Sequence, residues 1–270
     1  MSGGALGPPP VPEELPGGHH RRRLSPPPGR LTRDGDHAVC GRYTLTASLP
    51  DLVDIFHVAL PEFQHSPRYN IAPTQDAPVV ARDSEGRRMG LLRWGLVPSW
   101  ARDPAMGSRL INARSETVAK KPAFRQAFRA RRCLVPADGF FEWKKEGESP
   151  AGKGSKQPYW IHLASPEPFA FAGLWERWAP SKGDPLHSFT ILTMEATEAI
   201  RGIHPRMPVI LPPGAWDRWL DPGAGAEELL GLLGPLGPSI QVDFRAHPVS
   251  TLVNSPRNDR PACIEAVERK

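Results

Sequence analysis

The composition of the chain breaks at Cys40, and that break decides how much of it can fold. Residues 3–37 read GGALGPPPVPEELPGGHHRRRLSPPPGRLTRDGDH, a Pro, Gly and Arg mixture without apolar periodicity. A segment of this kind buries too little surface to offset the entropy of ordering it, so residues 1–39 are expected to be a disordered extension. Its HHRRR run could touch nucleic acid, but a solvated tail is the simpler expectation. Proline fills 33 of 270 positions, about 12 % against a usual ~5 %. An apolar fraction of 39 % and eight tryptophans nevertheless exclude a wholly disordered chain. A globular domain carrying a biased appendage satisfies both facts.

From Cys40 onward apolar spacing begins at once. CGRYTLTA reads as a short strand, and Ser48 caps a helix with Leu52, Ile55, Phe56 and Ala59 on one face. Strands at residues 79–82 and 89–97 lead into the loop PSWARDPAMGS. Pro122 opens a short basic helix, KPAFRQAFRARR, whose Phe124 and Phe128 sit at i and i+4. Residues 133–136 and 140–144 read as strands, and EGESPAGKGSKQ as a flexible hairpin loop. Further strands are expected at 159–163, 169–175 and 189–194, helices at 196–203, 213–220 and 227–233, and a closing strand in VDFRAHPVS. Many short strands with helices between runs of them argue for one α+β domain with mostly antiparallel sheets over residues 40–256. Residues 257–270 are left as a C-terminal tail.

Cys40, Cys133 and Cys263 are too few and too scattered for a disulfide framework or a zinc spacing, so neither a metal nor a cofactor is expected. That usage points to a reducing, cytoplasmic setting, nucleoid-associated in a bacterium. No apolar run approaches the roughly 18 residues of a spanning helix, and the N-terminus lacks the apolar core of a signal peptide. Formal net charge is +5. Between residues 101 and 145, however, eleven Lys or Arg face four acids, a local excess larger than that of the whole chain. Trp94, Trp100, Phe140, Phe141 and Trp143 lie in or beside this stretch. Cationic tracks next to aromatic surfaces hold single-stranded nucleic acid, although a basic helix face beside core aromatics would give the same pattern. Nothing resembles a helix-turn-helix, a zinc finger or an RNP motif.

Several polar residues stand in apolar or Gly- and Pro-bounded settings, where burial without a partner is costly. They are Cys40 and Arg42 in CGRY, Asn112 and Arg114 in LINARSE, Glu142 in DGFFEWKK, and His204 and Arg206 in GIHPRMP. Alternation sets Phe140 and Glu142 on one face of their strand and Phe141 and Trp143 on the other. Glu142 then either points to solvent or lines a pocket with a raised pKa, as a general acid requires. His204 lies between a helix and a Pro-flanked loop, a place equally suited to an acid or base and to a cap. His57, His65, His162, His187 and His247 show no partner pattern, and Cys133 and Cys263 read as inert small hydrophobes.

Taken in order, CGRY, RYNIAPTQ, RWGLVPSW, LINARSET, CLVPADGFFEW, GIHPRMPVIL and HPVSTLVN resemble the SOS-response-associated peptidase (SRAP) family, the abasic-site processing proteins that shield single-stranded DNA. The resemblance covers residues 40–256. It implies a compact, barrel-like α+β fold of twisted antiparallel sheets flanked by short helices, with a positively charged DNA groove and a monomeric state. It also implies a covalent bond between an N-terminal cysteine and the ring-opened aldehyde of an abasic site. By resemblance Glu142 manages protons, Asn112 orients the cysteine or the sugar, and His204 acts as acid or base on the sugar or phosphate side. Arg42, Arg114 and Arg206 match phosphate-holding positions, and Pro73, Trp100 and Trp143 match residues that wedge or stack against bases.

The implied chemistry follows from residue types. An α-amine titrates near ~7.7–8.0 and a lysine amine near ~10.4, so at neutral pH the former is a usable nucleophile towards an aldehyde. The thiol of the same residue then closes a five-membered thiazolidine, an intramolecular step with a high effective molarity. This chain departs from the family pattern at one point: 39 residues precede Cys40, whose nitrogen is then an amide and cannot condense. Val39 stands where the family has its initiator methionine, and a GTG valine codon can start translation in bacteria. Residues 1–39 are therefore expected to be read-through of GC-rich upstream DNA, with self-cleavage before Cys40 as the alternative. Two rivals remain: a thiol peptidase using Cys40, His204 and Glu142 on other proteins, and a non-catalytic single-strand binding module.

Overall fold

The computed structural model describes residues 40–147, 155–165, 167–181, 183–234 and 243–268. The extension expected over residues 1–39 and most of the expected hairpin loop, residues 148–154, lie outside the described residues. The first half of the fold runs β1 (Tyr43–Leu45), α1 (Leu49–Phe56), β2 (Arg68–Ile71), β3 (Asp76–Asp83), β4 (Gly86–Trp94), β5 (Asn112–Arg114), α2 (Arg125–Ala130), β6 (Arg132–Ala137) and β7 (Gly139–Lys145). The second half runs β8 (Lys156–Leu163), β9 (Phe169–Trp178), β10 (Leu186–Glu195), α3 (Glu198–Arg201), β11 (Arg206–Pro208), β12 (Ile210–Leu211), α4 (Pro213–Leu220), α5 (Ala226–Leu232) and β13 (Phe244–Pro248). Short 3-10 turns occupy Pro104–Arg109, Thr251–Asn254 and Pro261–Cys263.

Local sequence explains the helix ends. Ser48 forms a capping box with Asp51, Leu52 and Phe56 face inward, and His57 stops α1 in the left-handed conformation at φ 51°. Phe56 then stacks on Trp216 of α4, ring centroids 4.7 Å apart. In α2 the i,i+4 pair Phe124 and Phe128 is buried as the spacing predicts, but the helix is shorter than expected. Arg132 causes this. It begins β6, and its buried guanidinium turns back to donate to the carbonyls of Phe128, Arg129, Trp219 and Asp221. Those bonds satisfy the end of α2 and leave no reason for a further turn.

Two sheets carry the fold. In the first, of order β13-β8-β7-β1-β2, every pairing is antiparallel. The second has the order β11-β10-β4-β3-β6-β9-β12, and because β9 also pairs with β10 its middle strands join into a ring. β10 runs parallel to β4 and to β5 and antiparallel to its other neighbours. The architecture is thus the mixed one the sequence implied, with largely antiparallel sheets and a few short helices. Tyr43 of the first sheet meets Trp94 and Phe171 of the second at centroid distances of 5.2 and 5.9 Å, edge to face. Phe140 joins them at 6.1 Å from Phe171. Phe141, on the opposite face of β7, packs with Val249 and Val253 in a separate small core, so β7 is covered on both faces.

The expected C-terminal tail is a correction. Residues 257–268 pack onto the domain through Asp259, whose carboxylate pairs with Arg68 and accepts from the backbone N–H groups of Tyr69 and Asn70. Cys263 is buried, and Val249 bridges Ala266. Proline and polar residues hid this segment, because its anchors are hydrogen bonds rather than apolar periodicity. Among the described residues no helix is long and apolar enough to cross a membrane.

Candidate active site

β1 and β7 lie side by side, with Tyr43 opposite Phe140, and this register brings the three residues before β1 beside the middle of β7. Cys40 is wholly buried there, and its backbone nitrogen donates to Glu142 Oε1 at 2.7 Å. Its φ of 44° is unusual for a residue with a side chain. Glu142 shares its face with core residue Phe140, as alternation predicts, and is buried with 2 % exposure. Sequence left its direction open; the structure turns it inward. Burial pushes its carboxyl up to about 8, although the N–H groups of Cys40 and Trp143 pull the other way. A carboxyl so placed holds a proton at neutral pH and can release it within reach of the Cys40 nitrogen.

Two further strands complete the cluster. Asn112 of β5 pairs with Ile191 of β10, and its side-chain amide donates to the Cys40 carbonyl at 3.4 Å. His204 follows α3 in a tight turn, with its backbone N–H on the Ile200 carbonyl. Its Nδ1 receives the Arg206 backbone N–H at 3.2 Å and lies 3.9 Å from Glu142 Oε2. Cys40, Glu142, Asn112 and His204, dispersed over 165 positions of sequence, are therefore in contact or near contact. The Cys40 thiol points to the Arg42 carbonyl at 3.8 Å, and burial, then the neighbouring Glu142, pushes its pKa well above the ordinary value. A thiol peptidase requires the reverse, a thiolate favoured by an imidazole.

The three arginines differ. Arg114, on β5, is exposed at the rim, with buried Ala113 on the opposite face. Arg206, at the start of β11, sits across β10 from it, since Thr193 of β10 faces Arg114 on one side and Pro208 on the other. Its guanidinium forks onto Glu116 at 2.6 and 3.1 Å and onto the Thr193 carbonyl at 2.7 Å. Arg42 instead faces the C-terminal loop, donating to the carbonyls of Val253 at 2.5 Å and Asn254 at 3.3 Å. Among the aromatics, Trp94, Phe140 and Phe141 are core, whereas Trp100 is 55 % exposed and Trp143 is partly exposed. The Trp143 indole donates to Asn254 Oδ1 at 2.8 Å. Pro73, partly buried, occupies the turn after β2, held by Thr74 N–H on the Trp94 carbonyl. The structure joins neither Pro73 nor Trp100 to the Cys40 cluster by a hydrogen bond.

Sequence reasoning passed over three residues that frame this site. Asn70, buried, donates its amide to the carbonyls of Val253, Ser255 and Asn258, which shapes the loop that Arg42 and Trp143 lean on. Asn254 closes the motif HPVSTLVN and Glu116 lies within LINARSET, so both were in view without a partner to give them meaning. Among the described residues no group of three or more His, Cys, Asp or Glu is placed to hold a metal ion.

A buried Cys–Glu pair with a partly buried histidine beside it and an asparagine on the cysteine carbonyl, set between an antiparallel sheet and a closed ring of strands, defines a particular class of protein. Residues 39–256 match the profile of the SOS response associated peptidases, and the chain belongs to that family, SRAP. Among its relatives, the abasic site processing protein YoqW of Bacillus subtilis (strain 168) is 42 % identical over 231 residues, covering 84 % of this chain and all of that protein. The abasic site processing protein HMCES of Gallus gallus is 36 % identical over 242 residues, 77 % of this chain and 69 % of that one. A solved protein of Bacteroides thetaiotaomicron shares the fold with a TM-score of 0.72 at 23 % identity, over 85 % of this chain and 100 % of the other. A Bordetella bronchiseptica structure aligns with a TM-score of 0.64 at 28 % identity, over 78 % and 100 %.

Proposed function

We propose that the chain processes abasic sites in single-stranded DNA, through a thiazolidine formed on Cys40. The names of its relatives support the lesion. The observation that carries the chemistry is the 2.7 Å contact between the Cys40 nitrogen and the buried Glu142 carboxyl. Once the bond to residue 39 is absent, whether by a start at Val39 or by self-cleavage, that nitrogen is an α-amine. The ammonium first gives a proton to Glu142, and the free amine adds to the open-chain aldehyde; Glu142 passes that proton to the carbinolamine hydroxyl, which leaves as water, and takes up the N–H proton, giving an imine. The Cys40 sulfur then bonds to the imine carbon and its proton passes to nitrogen, closing the ring with no net gain or loss of electrons. His204, beside Glu142, relays the proton, and Asn112 fixes the Cys40 carbonyl so that amine and thiol face one carbon. Arg114 and Arg206 hold the phosphates that flank the lesion, while Trp143, Trp100 and Pro73 meet its neighbouring bases. Arg42 positions the loop under Trp143.

Protein beginning at Cys40 should give a denaturant-resistant adduct with a single strand carrying an abasic site, seen as a shifted band on a denaturing gel. Cys40→Ser should lose the stable form, because a hydroxyl closes a weaker ring. Full-length protein should form the adduct only as a species lacking 39 residues appears by mass. Cross-linking by Cys40→Ala at the parent rate would refute the thiazolidine and leave an adduct made without the thiol, whereas strand binding with no adduct from any form would leave a binding module.

A further inference from the structure

The Arg206 guanidinium has five N–H bonds, and the structure accounts for most of them. Both terminal nitrogens form a fork on Glu116, at 2.6 and 3.1 Å. The nitrogen bound to Glu116 Oε2 also donates to the Thr193 carbonyl at 2.7 Å and lies 3.3 Å from Thr193 Oγ1. Nε is buried without a hydrogen-bond partner and faces no solvent. One terminal N–H is left for anything arriving from outside. A planar guanidinium grips a phosphate with two parallel hydrogen bonds. That two-point edge is already taken, and by a carboxylate, the side-chain group whose shape and charge most resemble a phosphodiester.

Glu116 is free to leave. Its side chain is 48 % exposed, against 17 % for Arg206. It stands two residues after Arg114 in the turn that follows β5, where Thr117 N–H returns to the Arg114 carbonyl. Partial burial raises its carboxyl pKa, and the Arg206 hydrogen bond and the charges of Arg206 and Arg114 more than offset this, so it remains an anion at neutral pH. Swinging outward costs it one ion pair at a half-exposed site and returns a carboxylate to water.

We propose that Glu116 is a built-in stand-in for a DNA phosphate on Arg206, and that a backbone phosphodiester exchanges with it when a strand enters the site. The proposal rests on the reading of this chain as a DNA-processing protein and identifies a residue that sets how tightly, and with what salt dependence, that strand is held. While Glu116 neutralises Arg206, a phosphate that replaces it releases few counterions at this contact, because the displaced carboxylate recruits its own. Selectivity follows: weak, single-point anions leave the fork closed, and a strand already held by Arg114 supplies the second phosphate at high local concentration.

Full-length Glu116→Gln tests this by fluorescence anisotropy with an intact, labelled single strand across a salt series. Affinity should rise by up to about fivefold, the range of an exposed ion pair. The salt slope should steepen by roughly 0.7, one additional phosphate neutralised on a single strand. In an Arg206→Lys background the same change should give neither effect in full, since an ammonium offers no fork for carboxylate or phosphate. Weaker binding by Glu116→Gln would mean that Glu116 orients Arg206 for the strand, and would overturn the exchange. An equal gain in both backgrounds would overturn it too, reducing Glu116 to a diffuse charge. If the parent binds the strand with a steep salt slope and the cycle shows no coupling, exchange fails while DNA binding stands; absence of any strand binding by the parent would remove both.

Discussion

Raising the pH should weaken the fold of the full-length chain, and Glu142 should account for most of the loss. Its carboxyl is buried with 2 % exposure and titrates near 8 instead of the ordinary 4.5. Between those values the folded state keeps a proton that the unfolded state has lost, so stability falls as pH rises through this window and levels off above 8. At ~1.36 kcal/mol per pH unit the full window amounts to about 5 kcal/mol. With a urea slope of ~2–3 kcal/mol per molar, the unfolding midpoint should move down by about 2 M between pH 5 and pH 9. Glu142→Gln keeps a side-chain carbonyl for the Cys40 N–H and carries no titrating group, so its midpoint should stay nearly level over the same range. Urea titrations at pH 5, 7 and 9, followed by tryptophan fluorescence, make the comparison. Parallel profiles for parent and variant would refute the assignment. Protein starting at Cys40 should behave in the opposite sense, because an ammonium 2.7 Å from the carboxylate forms an ion pair. There the carboxyl pKa falls and the amine pKa rises, so stability is lost below the first and above the second. The shape of the curve thus reports whether the cysteine nitrogen is acylated.

Two packing predictions complete the set. A Cβ on Gly139 would meet the Trp160 indole, its nearest atoms 2.3 and 2.6 Å away, so Gly139→Ala should destabilise by ~1–3 kcal/mol in a denaturant melt. Asp259→Ala removes the acceptor shared by Arg68, Tyr69 and Asn70, and should cost ~2–4 kcal/mol and raise the proteolytic sensitivity of residues 250–268; unchanged protection would show that the C-terminal segment is held by other contacts.

Much of this was legible in the sequence where a side chain's surroundings are local. The helix cap at Ser48, the alternation that puts Phe140 and Glu142 together, and the Phe124–Phe128 pair depend on neighbours within four residues. β2, β5, β11 and β12 escaped because strands of two to four residues carry too little periodicity to stand out. Whether Glu142 faced solvent was undecidable from FFEW, since both faces of β7 are covered and the second cover comes from Val249 and Val253, more than a hundred positions away. The resemblance supplied the cluster of Cys40, Asn112, Glu142 and His204, which spacing alone could not. It gave Arg42 and Arg206 one shared role with Arg114, whereas in the structure Arg42 holds the carbonyls of the C-terminal loop and Arg206 forks onto Glu116. Only coordinates reveal that.

The Asp259 anchor has a consequence for the order of events during synthesis. Its carboxylate grips Tyr69, a residue made 190 positions earlier, and the same C-terminal stretch supplies the carbonyls that Arg42 holds two residues from Cys40. Contacts closed over such separations form late, and N-terminal parts of a chain emerge first from the ribosome. The ring of strands through β10 can assemble while the ribosome is still elongating. The surroundings of Cys40 cannot be finished until residues 253–259 have been made. A nascent or prematurely terminated chain that stops short of them would therefore display Cys40 without the loop that Arg42 and Trp143 lean on.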